Sequence, residues 1–542
     1  MNLASHVLER LLKLPPPITR NLVIQRDLPV PVGDGVELLT DRWAPAVGGD
    51  GLPLAVVRTP YGRRQMGLGL ARPLAERGYQ VLMQSVRGTF GSGGEFVPFR
   101  YERDDGLATL EWAAKQPWFG GSVVLIGASY LGYTQWAVAD AVPTTVKAMI
   151  PVVTESALAL DFLRPEAFAL ETPFGWGVMV AGQERPRAAL RTAGMLLFGD
   201  RKTQRALRTL PLNEADVVAV GERVEYVQAI LAHDADDPHW VETNHRARVA
   251  DVTIPVSSVA GWYDIFLPSQ LRDYQALRAA GRDTARLTVG PWTHASGGGS
   301  RVAMREVLVF GLKYARGEQP PERAPVRLYV MGAEQWRDVD TWPPAGYQAR
   351  RYHLQPDGGL AVEPAAESAP DRYRYDPADP TPAVGGVRMI AKGGRVDNRR
   401  LEARADVLTY TTAPLDAAVE VIGEVSAEVW VRSSLPHADV FVRLCDVDER
   451  GRSYNVCDGL VSVTGADELR KAIVELWPTA YRFLPGHRIR VQVSSGAFPR
   501  YDRNSGTGAP RGTATELRAA DQEVHHDTEH PSAVILPVRV VL

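Results

Sequence analysis

Residues 123–139, VVLIGASYLGYTQWAVA, constrain this chain more than any other segment. An uninterrupted apolar run ends at Gly127, small residues crowd the turn, and helical spacing begins at once. A buried strand that turns this sharply into a helix belongs in a mostly parallel sheet, because the helix must pack back over the sheet's face. Such an elbow leaves Ser129 projecting from the carboxyl edge of its strand.

The flanking segments keep the same rhythm. From about residue 20 to 145, PLAVVRTP and YQVLMQSV are short apolar runs bounded by Gly or Pro, with helices supplied by RPLAERGY and DDGLATLEWAAKQPWF. From about 146 to 245 the strand signal fades. LRPEAFAL, PRAALRTAGMLLFG, RKTQRALRTL and ERVEYVQAILAHD space their apolar residues three or four apart, as helices do. TIPVSSVAGWYD and ARLTVGPWTH then return to buried-strand character, with SQLRDYQALRAAG as the helix between them. Beyond about 345, VEVIGEVSAEVWVRSS, ADVFVRLCDVD, HRIRVQVSS and AVILPVRVVL alternate at period two between turns, the pattern of an antiparallel sandwich or jelly roll. The expected architecture is α/β: an α/β-hydrolase core from residues 1–145 plus 246–345, a helical cap insertion from 146–245, and a C-terminal jelly-roll β-sandwich domain from 346–542.

A serine on such an elbow becomes a nucleophile when a base and an orienting carboxylate reach it. In α/β-hydrolases these follow in the order serine, acid, histidine, each after a later strand. Asp264 ends SSVAGWYD, and His294 ends LTVGPWTH. Of eleven histidines, only His294 follows the next strand after Asp264. A plainer reading stands beside each residue: Ser129 as a small residue in a Gly-rich turn, Asp264 as a cap for the helix that follows. Order and placement together favour the triad Ser129, Asp264 and His294. The N–H of Tyr130, opening the helix, would face a developing oxyanion. One departure is visible: the usual G-x-S-x-G is here G-x-S-Y-x-G, its second glycine one position late.

The strings RTPYG, SVRGTFGSGGEF, DDGLATLEWAAKQPWFGG, GASYLGYTQW, GWYD and GPWTH resemble motifs of the bacterial cocaine-esterase-like (CocE/NonD) family of serine hydrolases, related to X-prolyl dipeptidyl aminopeptidases and glutaryl acylases. YDPADPTPAVGG, PGHRIRVQVSSGAFPRYDRNSGTG and EHPSAVILPV resemble that family's C-terminal jelly roll. The likeness covers nearly the whole chain and thins in the cap. It implies the same triad. It also implies that Tyr61 of the R-x-P-Y segment donates its hydroxyl to the oxyanion beside the Tyr130 N–H. Aromatics from the first cap helices and from just past the acid would line the acyl pocket, which points to Trp176 and Phe266. Relatives that hydrolyse α-amino-acid esters hold the substrate amine with carboxylates beside the triad acid, whereas Ile265, Phe266 and Leu267 follow Asp264 here. The expected acyl group is therefore uncharged and fairly apolar.

Composition weighs against other classes. Lys plus Arg number 61 against 64 Asp plus Glu, a net charge of −3 with no electrostatic footprint for nucleic acid or a polybasic membrane anchor. No apolar run reaches the roughly 18 residues of a spanning helix. His6, Glu9, Arg10 and Lys13 interrupt the stretch where a signal peptide would need apolar residues. The two cysteines exclude a disulfide scaffold, so the cytoplasm is the expected location. Cys445 and Cys457 read as buried apolar residues. GTFGSGGEF lacks the Lys-Ser/Thr of a phosphate loop, and HDADDPHW lacks the glycine and distal glutamate of a calcium loop. HHDTEH at 525–530 reads as a structural turn rather than a metal site. The expectation is a serine esterase for a small-molecule ester, without metal or organic cofactor, binding neither nucleic acid nor membrane; a homo-oligomer stays open. An amidase, acylase or X-prolyl dipeptidyl peptidase on the same triad is the alternative, and a non-catalytic β-sandwich binding protein the remote one.

Overall fold

The computed structural model describes residues 3–157, 160–186, 201–389 and 393–540. Among the described residues, ten strands form one sheet: β1 (Leu22–Pro31), β2 (Glu37–Pro45), β3 (Leu54–Thr59), β4 (Gln80–Ser85), β5 (Val123–Ala128), β6 (Val146–Val152), β7 (Ser257–Tyr263), β8 (Arg286–Thr293), β9 (Val326–Val330) and β10 (Gln335–Val339). Their order is β1-β2-β4-β3-β5-β6-β7-β8-β9-β10. Pairing is parallel from β4 through β9, and antiparallel at both margins. β3, β4 and β7 are buried along their whole length, the burial expected of parallel strands covered by helices on both faces. This is the α/β core that the strand–helix rhythm implied.

Two parts of the insertion differ from their periodicity. Residues 146–152 form β6, between β5 and β7 of the core sheet, rather than part of a helical cap. The run VKAMIPV is buried at six of its seven positions, and such a run satisfies both faces of a central strand without showing either period. LRPEAFAL is not an α-helix but a short 3₁₀ turn at Pro165–Ala167. The cause is tertiary: the N–H groups of Leu170 and Glu171 donate to Arg500 and Pro499 carbonyls, and Ala169 bridges to Tyr501. Helices do form at Glu171–Ala181, Arg201–Ala206 and Glu225–Ala232. The helical spacing of PRAALRTAGMLLFG falls on residues 187–199, outside the described residues.

The C-terminal part is β-rich. Long antiparallel strands at Val419–Ser433, His437–Val447, Ser453–Thr464 and Arg470–Phe483 build it, and along Val419–Ser433 alternate side chains are buried from Val425 onward. Cys445 and Cys457 are both buried and unpaired in adjacent strands. Apolar packing runs without a break from Leu82 and Val289 of the core sheet into Val421 and Phe483, so the β-rich part is packed onto the core. Among the described residues no helix is long and apolar enough to cross a membrane.

Candidate active site

The sheet order brings four strand ends to one edge. Tyr61 lies two residues past the end of β3, while Ser129, Asp264 and His294 directly follow β5, β7 and β8. That carboxyl edge is where open parallel sheets place their ligands, because the loops leaving successive strands converge there.

Ser129 adopts φ 56°, ψ −125°, a conformation few non-glycine residues tolerate. The surrounding structure enforces it. The Ser129 N–H donates to Val152 of β6 at 2.9 Å, and its carbonyl accepts the Thr154 hydroxyl at 2.7 Å and the Gly132 N–H at 2.8 Å. A Cβ at Gly127 would lie 2.4 Å from the Leu131 Cβ, and one at Gly132 would lie 2.3 Å from the Thr154 Cγ2. The late glycine thus has a steric reason: residue 132, not 131, faces the end of β6.

His294 Nε2 lies 3.0 Å from the Ser129 Oγ, and its Nδ1 lies 2.7 Å from the Asp264 Oδ2. Asp264 is completely buried. Its other oxygen, Oδ1, accepts the Phe266 N–H at 2.8 Å. Asp264 does not cap the helix that follows, whose N-cap is Phe266 without a side-chain cap bond; its Oδ1 instead closes a turn onto the N–H two residues on, while Oδ2 meets His294. The Asp264 carbonyl accepts the Trp477 indole N–H at 3.1 Å, a tie from the β-rich part that no local pattern announces.

Tyr61 packs edge-on against Tyr130, ring centroids 6.4 Å apart. Its oxygen accepts the Trp176 indole N–H at 2.8 Å. That bond occupies an acceptor site and leaves the phenolic proton free to be donated elsewhere. Burial, partly offset by the indole bond, pushes the Tyr61 phenol up to about 12, so it stays protonated at neutral pH. Tyr130 opens its helix, so its N–H has no intrahelical carbonyl to bind. Its ring is anchored away from the turn: the hydroxyl donates to Glu102 at 2.7 Å and accepts the Phe99 N–H at 3.0 Å. Phe266 lies edge-on to the His294 imidazole at 5.4 Å and against Phe162 at 5.5 Å. Trp176 stacks on Phe99 and Tyr130, one shell behind Tyr61.

Sequence reasoning missed Phe162, Thr154, Glu102 and Trp477; each reaches the site through contacts across the fold. The dismissed clusters have local structural uses. Asp237 Oδ1 accepts the His239 N–H at 2.8 Å, capping the turn at Pro238–Thr243. Asp527 Oδ1 accepts the Glu529 and His530 N–H groups at 2.9 and 3.0 Å and so holds the turn between the strands Ala520–His525 and Ala533–Arg539, although His525, Asp527 and His530 do place ligand atoms within 4.8 Å of one another.

Comparison with known proteins follows the same division. Residues 34–296 match the X-Pro dipeptidyl-peptidase (S15 family) profile, and residues 322–535 match the X-Pro dipeptidyl-peptidase C-terminal non-catalytic domain. The chain is 32% identical to a cocaine esterase from Rhodococcus sp. (strain MB1 Bresler), over 96% of this chain and 99% of that one. Among solved structures, an aminopeptidase from a marine-sediment Thaumarchaeota archaeon shares the fold with a TM-score of 0.83 at 23% identity, covering 97% of this chain and 99% of its own. An α-amino acid ester hydrolase does so with a TM-score of 0.81 at 21% identity, covering 97% and 98%.

Proposed function

The chain belongs to the cocaine-esterase family of serine ester hydrolases, and we propose that its nucleophile is Ser129, with His294 as base and Asp264 as the group that orients it. The observation that carries this reading is the unbroken Ser129 Oγ–His294–Asp264 hydrogen-bonded chain at 3.0 and 2.7 Å. Ser129 attacks the acyl carbon while His294 Nε2 takes its proton. His294 then returns that proton to the leaving alcohol, and water releases the acyl-enzyme by the same route. Asp264, with Oδ1 engaged by a backbone N–H, offers Oδ2 to Nδ1 in one orientation and so selects the tautomer whose Nε2 can accept. The Tyr61 hydroxyl and the Tyr130 N–H are the oxyanion donors in this reading.

The acyl group is proposed to be uncharged and apolar, packed against Phe266 and Phe162. Asp161, the chain neighbour of Phe162, is bound to Arg246 and Arg272, so it is not left as an anchor for a substrate amine. The same observation weighs against the peptidase alternative. The helical insertion is read as a roof over the pocket, starting after β6, and the β-rich part as a buttress. A cytoplasmic location is part of this reading and rests on the two unpaired, buried cysteines; cell fractionation tests it.

Hydrolysis of a p-nitrophenyl ester series, beside the matching p-nitroanilides and phenylglycine methyl ester, tests the assignment. The expected result is turnover on the simple esters, little on the other two, and none in Ser129→Ala. Full turnover in Ser129→Ala would contradict the nucleophile; preference for the amino ester would contradict the acyl assignment.

A further inference from the structure

A second cavity, of about 500 Å³, lies between the helix Glu171–Ala181, the helix Glu225–Ala232, the turn Pro238–Thr243 and the loop at residues 88–100. None of Ser129, Asp264, His294, Tyr61 or Phe266 lines it. Its volume falls in the range of small-molecule sites, about 300–1,000 Å³. The apolar wall is formed by Phe96, Trp176, Val180, Tyr226, Ala229 and Trp240. The two helices that line it pack closely: a Cβ at Gly177 would lie 2.9 Å from the Tyr226 ring, and Trp176 meets Tyr226 edge-on at 4.9 Å.

The charged groups around the cavity lie at its rim. Three arginines and three glutamates contribute to its lining. Arg100 pairs with Glu242, Arg185 with Glu222 and Arg223 with Glu214, while Glu184 accepts the Phe90 N–H. Burial holds His239 below its ordinary value, toward the uncharged form. Glu184, Glu222, Arg223 and Glu225 are exposed, whereas Trp176, Val180, Tyr226 and Trp240 are buried. The depth of the cavity is therefore an aromatic and aliphatic wall that selects an uncharged, flat or aliphatic molecule, since an ion there would forfeit its hydration without gaining a partner.

One wall residue belongs to both places. Trp176 lines the cavity, and its indole N–H is the hydrogen bond that Tyr61 accepts. We propose that this cavity is a second binding site, for an uncharged aromatic or aliphatic small molecule, and that its occupancy alters turnover through the Trp176–Tyr61 hydrogen bond. The coupling rests on Tyr61 being an oxyanion donor; the binding does not.

The probe is N-phenyl-1-naphthylamine, uncharged and fluorescent in apolar surroundings. The experiment titrates it into the whole enzyme, into enzyme phosphorylated by diethyl p-nitrophenyl phosphate, and into Ala229→Trp, which fills the cavity without touching the triad. Expected are one probe bound per chain, affinity changed less than twofold by phosphorylation, and binding reduced at least tenfold in Ala229→Trp. Bound probe is expected to change kcat on p-nitrophenyl butyrate at least twofold in the wild type and to leave Ala229→Trp unaffected. Should Ala229→Trp fail to fold by circular dichroism, Ala181→Phe on the facing helix gives the same loss. Binding abolished by phosphorylation, binding untouched by both fillings, or an unmoved kcat at saturating probe would each overturn the proposal. Failure of the organophosphate to add mass at Ser129 would instead count against the nucleophile, and the probe titration of wild type against Ala229→Trp would still judge the cavity.

Discussion

Replacing Tyr61 by Phe removes one oxygen and keeps the ring against Tyr130, so the effect on chemistry can be separated from the effect on packing. In the proposed mechanism the lost group is one of two oxyanion donors. Loss of such a donor costs about 10²–10³ in kcat, roughly 2.7–4 kcal/mol of transition-state stabilisation. KM should change little, because the bond strengthens only as charge develops on the acyl oxygen. The folded state pays separately: the Trp176 indole N–H, now 2.8 Å from an oxygen, would face a carbon. An orphaned buried donor costs about 1–3 kcal/mol, so thermal unfolding should shift down by a few degrees in a protein that still folds. The assay is steady-state hydrolysis of p-nitrophenyl butyrate, with active sites counted by organophosphate titration so that misfolded enzyme is not scored as slow enzyme. A kcat loss below about fivefold in fully titratable Tyr61→Phe would refute the oxyanion role, since even a single weak donor should exceed that.

Asp264→Asn preserves shape but offers an N–H or a carbonyl where His294 Nδ1 needs a carboxylate; kcat should fall on the order of 10⁴-fold with folding retained. Gly132→Ala places a methyl 2.3 Å from the Thr154 Cγ2 and 2.6 Å from its Cβ. Because Thr154 holds the Ser129 carbonyl, the variant should lose about 1–3 kcal/mol of stability and most of its activity together, read by denaturant unfolding and ester turnover. Glu420 is opposed by burial, but Arg337, Tyr347 and Arg482 outweigh it and hold its carboxyl down to about 2 from 4.5. A depressed carboxylate stabilises the fold above its unfolded value and loses that contribution as pH falls, here from about 4.5 towards 2, for up to about 3 kcal/mol. Denaturant midpoints across that window should fall in the wild type and flatten in Glu420→Gln.

The elbow and the placement of Ser129, Asp264 and His294 at successive strand ends were legible because a parallel sheet imposes them: the chain must return to the same edge, so the residue after each strand is a candidate by position alone. Asp264 and His294 stand directly after β7 and β8 for that reason. Tyr61 carries no such mark, since nothing near RTPYG distinguishes its phenol from one that packs; it entered only through resemblance. β6 was lost because a strand buried on both faces has no alternation to read, and LRPEAFAL was misread because its backbone partners sit near residue 500. Trp477 and Thr154 act on Asp264 and Ser129 from elsewhere in the fold, and no period in a local window encodes a contact of that kind.

The most direct test is the mass of the chain after reaction with diethyl p-nitrophenyl phosphate. With Ser129 as the nucleophile, one p-nitrophenolate is released per chain and a diethylphosphoryl group is found on the peptide carrying Ser129, absent in Ser129→Ala and strongly slowed in Asp264→Asn. Modification at another residue, or none in a folded chain that still hydrolyses esters, would contradict that role.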